Sequence, residues 1–210
     1  MVPLYASILI IFSFSRFNRS LSETLERLEE ERATVAHMAN HDPLTGLPNM
    51  RIMEIRAKQA FAMAKRGQAR PALFIDLDHF KPFNDELGRD VGDMLLKEAS
   101  ARMRTMLREG DSLVRSGGDE FLVLLTHFND EGDVLSVAEK IRNAVVRPFK
   151  LGVAECSIGI AFYPDGDYLQ SLSRLADNAM YGVKRSGKNG IRIWRNEDAE
   201  VLPDYSRAEG

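Results

Sequence analysis

Three carboxylates near the middle of the chain have the type and spacing to hold a divalent cation. Asp76 ends an apolar strand pattern, where a carboxylate is costly unless it is paired or bound to a metal. Asp119 and Glu120 follow two glycines at the tip of a predicted hairpin. If the two strands are neighbours, all three carboxylates reach one point, as they do around magnesium in phosphoryl-transfer sites. Each residue also has a simpler interpretation, because acidic side chains in turns are usually only solvated.

The elements that would position these carboxylates follow from periodicity and turn residues. Helical spacing predicts helices at 50–65, 91–107, 133–146 and 168–184. Apolar runs predict strands at 72–78, 113–115, 121–126, 156–162 and 191–194, with a loop between 78 and 91. Gly117 and Gly118 predict a tight hairpin, because paired glycines supply positive φ angles. Helices interleaved with strands predict an α/β sandwich with a largely antiparallel sheet.

Four motifs, in chain order, resemble those of the GGDEF-domain diguanylate cyclases. They are Asp42–Asn49, the residues between Asp76 and Asp93, Arg115–Phe121 with its Gly-Gly-Asp-Glu-Phe signature, and Ala176–Asn189. The resemblance covers residues 40–195, about three quarters of the chain. It implies a palm-like (ferredoxin-like, nucleotidyl cyclase type) α/β fold. It also implies an enzyme that condenses two GTP into cyclic di-GMP and two pyrophosphates.

The resemblance assigns the metal and catalytic roles. It implies that Mg²⁺, or alternatively Mn²⁺, is held by Asp76, the backbone carbonyl of Leu77, Asp119 and Glu120. Asp119 and Glu120 are also implied as the catalytic pair that assists deprotonation of the attacking 3′-hydroxyl. Which of the two acts as the base stays open.

The resemblance also implies a set of residues around the triphosphate. They are His79, Phe80 and Lys81 in a turn of backbone N–H groups, the glycines Gly117 and Gly118, and the cations Lys184 and Lys188. The glycines would let the backbone approach the nucleotide closely. Lys188 stands where the family commonly has Arg, so the charge is kept and the bidentate fork is lost.

Base recognition is implied for Asn84 and Asp93. A carboxylate can accept hydrogen bonds from guanine N1–H and the N2 amine, and adenine lacks that pair of donors. An asparagine can both donate and accept at the guanine edge. The simpler interpretations are an asparagine in a turn and an aspartate that caps the helix near Val91.

A second cluster resembles the family's inhibitory product site. Arg108 and Asp111 form an RxxD motif, separated from Gly117 by the five residues 112–116. Arginine can bind the O6/N7 edge of guanine, and aspartate can accept from its Watson–Crick donors. Lys140 falls near the place where the family often has a supporting Arg. The alternative is a basic helix end followed by an Asp turn. Ser116 replaces the aromatic residue that is common before the two glycines.

The first forty residues differ in composition from the rest. Residues 1–17 begin with an uncharged apolar run followed by Arg16, which predicts a membrane helix end or anchor with the chain on the cytoplasmic side. Residues 18–40 predict a coiled-coil stalk. Its seam consists of Leu21, Leu25, Leu28, Arg32, Val35 and Ala39. The alternatives are a dimerising or disordered apolar tail and a solvated helix. The GGDEF-like domain is predicted at 41–195 and a flexible acidic tail at 196–210.

Composition limits the partners. The 210 residues carry a net charge of −3 and a pI near 5.9, so no nucleic-acid binding is expected. Cys156, the single cysteine, excludes an internal disulfide and a Cys-rich zinc site. The expected partners are GTP, cyclic di-GMP and a second copy of the chain, because one domain binds one GTP and the product joins two. The catalytic domain is expected in the cytoplasm, tethered to the inner membrane.

Two other functions fit parts of the sequence. A catalytically silent module could bind GTP or cyclic di-GMP and signal through the stalk, although silent relatives usually lose one of the site residues. A membrane-tethered structural dimeriser would explain the first forty residues and leave the acidic cluster unexplained.

Overall fold

The computed structural model describes residues 4–67, 72–74, 77–78, 80–149 and 154–196. Asp76 and His79, two of the predicted site residues, lie outside these ranges. The chain divides into two compact units, Met1–His41 and Asp42–Gly210.

The first unit is built on one helix, α1 (Leu4–Asn40), so the helix predicted for the stalk is present and extends back to Leu4. From residue 14 onward, α1 exposes large apolar side chains. They are Phe14, Phe17, Leu21, Leu25, Leu28, Val35 and Met38. None of the helices in the described ranges combines the length and the apolar character needed to traverse a bilayer.

The second unit alternates helices and strands. The helices are α2 (Met50–Ala64), α3 (Phe80–Leu87), α4 (Arg89–Thr105), α5 (Glu131–Val146) and α6 (Leu169–Arg185). The strands are β1 (Ala72–Phe74), β2 (Leu77–Asp78), β3 (Ser112–Gly117), β4 (Glu120–Leu125), β5 (Glu155–Cys156), β6 (Ile158–Phe162) and β7 (Ile191–Ile193).

The main sheet has the strand order β3-β4-β1-β6-β7. Its pairs are antiparallel except β6 with β7, which run parallel. Strands β2 and β5 form a separate antiparallel pair. The predicted α/β architecture with a mostly antiparallel sheet is therefore confirmed.

Helices cover both faces of the sheet, which explains why β4 is apolar at every position after Glu120. Phe121, Val123 and Leu125 pack in one core cluster with residues of α4 and α5. Leu122 and Leu124 pack in a second cluster with residues of α2 and α6. Because successive strand residues point to opposite faces, a strand covered on both sides has to be apolar at every position.

Three segments differ from the sequence prediction. The strand predicted at 72–78 is divided into β1 and β2, and the strand predicted at 156–162 is divided into β5 and β6. In both cases the two parts belong to different sheets. The loop predicted between 78 and 91 contains α3. Pro82 argues against a helix in the sequence, because proline has no N–H to donate. Pro82 is, however, the third residue of α3, and the first four N–H groups of a helix have no acceptor within the helix, so proline is tolerated there.

Helix α4 also begins earlier than predicted. Gly88, with φ of +90°, is its N-cap, and no side chain caps the helix. Asp93 therefore lies inside α4, and the interpretation of Asp93 as a helix cap is wrong.

Candidate active site

The hairpin between β3 and β4 presents the acidic pair. Gly117 and Gly118 have φ of +155° and +52°, values that glycine adopts far more readily than other residues. A Cβ atom at either position would meet no atom within 4 Å, so the outer side of the turn is open. Gly117 pairs with Glu120, and the register shifts between Arg115 and Gly117. The turn is thus a backbone surface that a ligand can approach closely.

The two carboxylates of this hairpin are accessible. Asp119 is half-buried in the turn and Glu120 is exposed at the start of β4. The Ser116 hydroxyl lies 3.2 Å from Glu120 Oε2 and 3.3 Å from the Glu120 carbonyl oxygen, and it can donate to either. Ser116, which replaces the common aromatic residue, therefore contacts Glu120.

Strand pairing brings the end of β1 toward the same hairpin. β1 and β4 are neighbours, with Phe74 opposite Val123. Because the pair is antiparallel, the chain leaves β1 in the direction of Glu120, the first residue of β4. The adjacency of the two strands that the sequence argument required is present, while Asp76 itself lies outside the described residues.

Arg115 holds the glycine turn through hydrogen bonds to its backbone. Its Nε and Nη2 donate to the Gly118 carbonyl at 2.9 and 2.6 Å. Its Nη1 donates to both carboxylate oxygens of Asp42 at 2.9 and 3.0 Å. The guanidinium therefore joins the turn to the segment that precedes α2.

The Asp42 carboxyl is held in its charged form. Burial alone would raise its pKa, but hydrogen bonds from the Thr45 hydroxyl and N–H, together with Arg115, outweigh burial and lower it. The Thr45 hydroxyl donates at 2.6 Å and its N–H at 2.9 Å. Asp42 thus stays ionised and keeps the Arg115 side chain oriented toward the turn.

Helix α3 carries three of the predicted substrate residues. Phe80 and Lys81 are its first two residues, so their N–H groups belong to a helix N-terminus and not to a turn. Helix N-termini attract phosphate oxygens through free N–H groups and the helix dipole. Phe80 packs against the core, and Lys81 is exposed.

Asn84 and Asp93 come from adjacent helices. Asn84 is half-buried on α3, and Asp93 is exposed on α4. The Asn84 Oδ1 atom is buried and receives no hydrogen bond from the described residues. It lies against Gly92, the residue before Asp93. Asn84 therefore lies against the residue that precedes Asp93 in α4.

The cations at the end of α6 flank a left-handed segment. Lys184 lies in the last turn of α6 and is half-buried. Lys188 and Asn189 have φ of +65° and +46°, after Gly187 at +115°. Arg142 on α5 donates to the Asn189 side-chain oxygen at 3.1 Å, so α5 anchors the segment that carries Lys188.

The RxxD residues form a closed turn. The Arg108 N–H donates to Asp111 Oδ2 at 3.0 Å, and the Asp111 N–H donates to the Arg108 carbonyl at 3.1 Å. Asp111 is only 7% exposed, whereas the Arg108 side chain is exposed. The pKa of Asp133 is lowered, mainly by hydrogen bonds from the N–H and the side chain of Asn129 and to a smaller extent by the charge of Arg108. Lys140 is exposed on α5, two helical turns beyond Asp133 and on the same face.

Comparison with known families decides the identity of this arrangement. The family described as "Diguanylate cyclase, GGDEF domain" matches residues 39–190. The chain belongs to the GGDEF-domain diguanylate cyclase family. The mostly antiparallel sheet and its covering helices are accordingly the palm-like fold of GGDEF domains, as the sequence predicted.

Individual relatives cover most of the chain. The diguanylate cyclase TpbB of Pseudomonas aeruginosa is 39% identical over 85% of this chain and 42% of TpbB. The bifunctional diguanylate cyclase/cyclic di-GMP phosphodiesterase MucR of that species is 40% identical over 92% of this chain and 30% of MucR. The chain therefore spans less than half of these curated relatives. The coiled coil and GGDEF domain of DgcB from Caulobacter crescentus, solved in complex with c-di-GMP, superposes with a TM-score of 0.77 at 30% identity, over 85% of this chain and 97% of that one.

The donors of this GGDEF domain suit a divalent cation. Asp119 and Glu120 offer carboxylate oxygens, and the Leu77 carbonyl lies in β2. Mg²⁺ and Mn²⁺ prefer such oxygen ligands. The described residues contain no group of three or more His, Cys, Asp or Glu side chains that could hold a metal, and the third predicted carboxylate, Asp76, lies outside them.

Sequence reasoning did not assign a role to two residues that shape this GGDEF site. Arg115 stands inside the signature, but its partner Asp42 is 73 residues away. Gly92 stands inside the upstream motif, but its contact with Asn84 depends on how α3 packs on α4. The sequence shows an arginine and a glycine within the motifs, but the contacts of Arg115 with Asp42 and of Gly92 with Asn84 are seen only in the folded structure.

Proposed function

We propose that this chain is a diguanylate cyclase domain that condenses two GTP molecules into cyclic di-GMP and two pyrophosphates. The observation that carries the proposal is the hairpin tip, where Asp119 and Glu120 are accessible beside a glycine turn whose outer side is open. A silent module has no need of both carboxylates next to a surface shaped for close backbone approach.

The reaction requires two identical bond exchanges. In each, the 3′-oxygen of one GTP bonds to the α-phosphorus of the other, and the bond from that phosphorus to pyrophosphate breaks. The hydroxyl proton passes to a carboxylate of the hairpin, either Asp119 or Glu120. Phosphoryl transfer depends mainly on positioning and on neutralising charge, which are the two tasks left to the protein.

The proposed cofactor is a divalent cation, with Mg²⁺ favoured and Mn²⁺ as the alternative. Asp76, the Leu77 carbonyl, Asp119 and Glu120 would hold it. When bound, the cation would neutralise phosphate charge and orient the phosphate oxygens.

The substrate contacts are proposed from the same elements. The N-terminus of α3, with the N–H groups of Phe80 and Lys81, would receive phosphate oxygens together with His79, and Gly117 and Gly118 would let the nucleotide approach the turn.

Cations and base contacts complete the substrate site. Lys81, Lys184 and Lys188 would neutralise triphosphate charge. Asn84 and Asp93, which approach from α3 and α4, would recognise the guanine edge.

We further propose that two copies act together through α1. One domain supplies one GTP, so two domains must face each other before either bond can form. The exposed apolar residues of α1 provide a surface for parallel pairing. DgcB, whose solved structure contains a coiled coil together with its GGDEF domain, offers a precedent. Residues 1–17 would attach the protein to the inner membrane, with the catalytic domain in the cytoplasm.

Product feedback at the RxxD motif is also proposed. The exposed Arg108 guanidinium is available to a guanine edge, and Lys140 is exposed on α5. The burial of Asp111 and its hydrogen bond with the Arg108 N–H leave the carboxylate with a second role in shaping the turn. A tightly held product would mask turnover, so it must be removed before any assay.

The test is product formation from GTP and Mg²⁺ by protein freed of bound nucleotide. We expect cyclic di-GMP from the parent chain and none above background from Asp119→Ala/Glu120→Ala, measured by chromatography. A matched control, Asp165→Ala/Asp167→Ala, removes the same two charges from an exposed turn elsewhere and should keep the activity.

The outcomes separate the alternatives. GTP binding without product would favour the silent module or a chain whose two domains do not meet, and forced dimerisation through a fused zipper would distinguish these. An absence of nucleotide binding would leave only a structural dimeriser.

A further inference from the structure

Helix α4 packs against α3 at Gly92, which is buried near the start of α4. A Cβ atom at this position would lie 1.7 Å from Asn84 Oδ1, 2.8 Å from Asn84 Cγ and 3.1 Å from Phe80 Cζ. Contacts shorter than 3.0 Å essentially never occur for real Cβ atoms. The Asn84 side chain therefore occupies the space that any other residue at position 92 would need.

The Asn84 amide lies on a short helix. Helix α3 has only eight residues, and none of them is fully buried. Asn84 Oδ1 is buried without a hydrogen bond from the described residues. Because the amide group is planar, the contact of its oxygen with Gly92 also sets the direction in which its nitrogen points.

Glycine at position 92 has a local cost. Within a helix, glycine is less favourable than alanine because it loses more backbone freedom on folding. Its φ is not in the left-handed region, so backbone conformation does not require it. The reason for this glycine is therefore the space that it leaves for its neighbour.

We propose that Gly92 is a positioning residue for guanine recognition, whose missing side chain forms the seat of the Asn84 amide. This inference rests on the proposed role of Asn84 in binding GTP. Asp93 follows Gly92 directly and is exposed. The seat at Gly92 thus fixes Asn84 of one helix relative to Asp93 of the next, so that both can reach the same base.

Gly92→Ala would bring its methyl group against side-chain atoms of α3. The atoms that an alanine methyl would strike first belong to the Asn84 side chain, not to the backbone of α3. A side chain can rotate away, so Gly92→Ala displaces the amide while the helices stay folded. The variant should therefore lose base recognition and keep the phosphate contacts.

The experiment measures the affinity of the full chain for 3′-deoxy-GTP, which lacks the attacking hydroxyl and so reports binding without reaction. Calorimetry would compare the parent, Gly92→Ala, Asn84→Ala and the double variant, with 3′-deoxy-ATP as the second ligand. Gly132→Ala serves as the control glycine substitution in a helix away from α3 and α4. Its methyl group also meets a side-chain oxygen, that of Asp130 at the N-cap of α5, at 3.0 Å.

We expect Gly92→Ala and Asn84→Ala each to weaken 3′-deoxy-GTP binding by roughly ten-fold, the loss of about one good base contact. Binding of 3′-deoxy-ATP should change little. The double variant should bind no more weakly than Asn84→Ala, because without the amide the methyl group has no Asn84 oxygen to displace. Gly132→Ala should bind like the parent.

Each other result is decisive. Normal binding by Gly92→Ala, with weakened binding by Asn84→Ala, would overturn the role of Gly92 alone. Normal binding by Asn84→Ala would overturn the proposed base contact and the inference with it. Additive losses would show that Gly92 acts through helix packing. If Gly92→Ala fails to fold, recovery of folding in the double variant supports the seat, and a failure to recover overturns it.

Discussion

The ion pair between Asp42 and Arg115 connects the start of the second unit to its acidic hairpin. Both side chains are mostly buried, with 17% and 11% exposure, and Arg115 also binds the Gly118 carbonyl. A removed partner would leave a buried charge without compensation, which is more costly than the pair is stabilising. Arg115 therefore holds the glycine turn in a fixed position relative to the segment before α2.

This pair predicts a pH-dependent stability. The pKa of Asp42 is lower in the folded chain than its ordinary value of 3.8. Its stabilisation is therefore complete above the unfolded pKa and disappears as the pH falls through the lower folded value. At pH 7 the free energy of unfolding of Asp42→Asn should be about 1–3 kcal/mol lower than that of the parent. As the pH falls from about 5 to about 3, the free energy of unfolding of the parent should decrease more than that of the variant, because only the parent has this carboxylate to protonate. Urea unfolding at a series of pH values would measure this, and parallel curves for the two proteins would contradict it.

At the residue scale, turn chemistry was predictable and distant pairing was not. Gly117 and Gly118 define a hairpin from two adjacent letters, because their conformational freedom is a local property. The partner of Arg115 is 73 residues away, and the contact of Gly92 with Asn84 exists only once two helices are packed. The roles assigned by family resemblance stay predictions until the binding and activity measurements are made.

At the element scale, the long apolar segments were predicted well and the short ones poorly. Strand β4 lies within one residue of its predicted range, because its buried part, Phe121–Leu125, is apolar at every position. Helix α3 has eight residues and a proline in its first turn, so it gave no helical periodicity. The strand predicted at 72–78 is divided between two sheets, because strand pairing depends on tertiary contacts that the local sequence does not encode.

The contact between β6 and α6 gives a prediction at this scale. A Cβ atom at Gly159 would lie 1.9 Å from the Ala176 carbonyl oxygen and 2.5 Å from the Met180 nitrogen. Because these are backbone atoms of α6, the helix itself must move. We expect Gly159→Ala to destabilise the fold by about 3 kcal/mol, measured by urea unfolding.

A matched substitution controls for the loss of glycine. Gly110→Ala places its methyl group in open space at an ordinary φ, and its stability should stay within about 0.5 kcal/mol of the parent. Equal stability of the two variants would show that α6 tolerates the displacement and that its position is less constrained than the contact indicates.

At the scale of the whole molecule, the proposed reaction needs two copies of the chain. One domain holds one GTP in the proposed mechanism, and the product contains two guanosine units. Helix α1 carries a stripe of exposed apolar side chains, including Leu21, Leu25 and Leu28 at about half exposure (47%, 52% and 48%). Pairing of two such helices would bury the stripe and raise the local concentration of the second domain.

The last prediction tests this pairing. Leu25→Glu/Leu28→Glu places two charges in the seam, where burial would be costly, so the dimer should dissociate. We expect specific activity to fall about ten-fold or more at low protein concentration and to recover partly at high concentration, since mass action restores the encounter. Ser20→Glu/Thr34→Glu adds the same charges outside the seam and should behave like the parent. Specific activity of the seam variant that matches the parent across a dilution series would rule out α1 as the element that brings the two domains together.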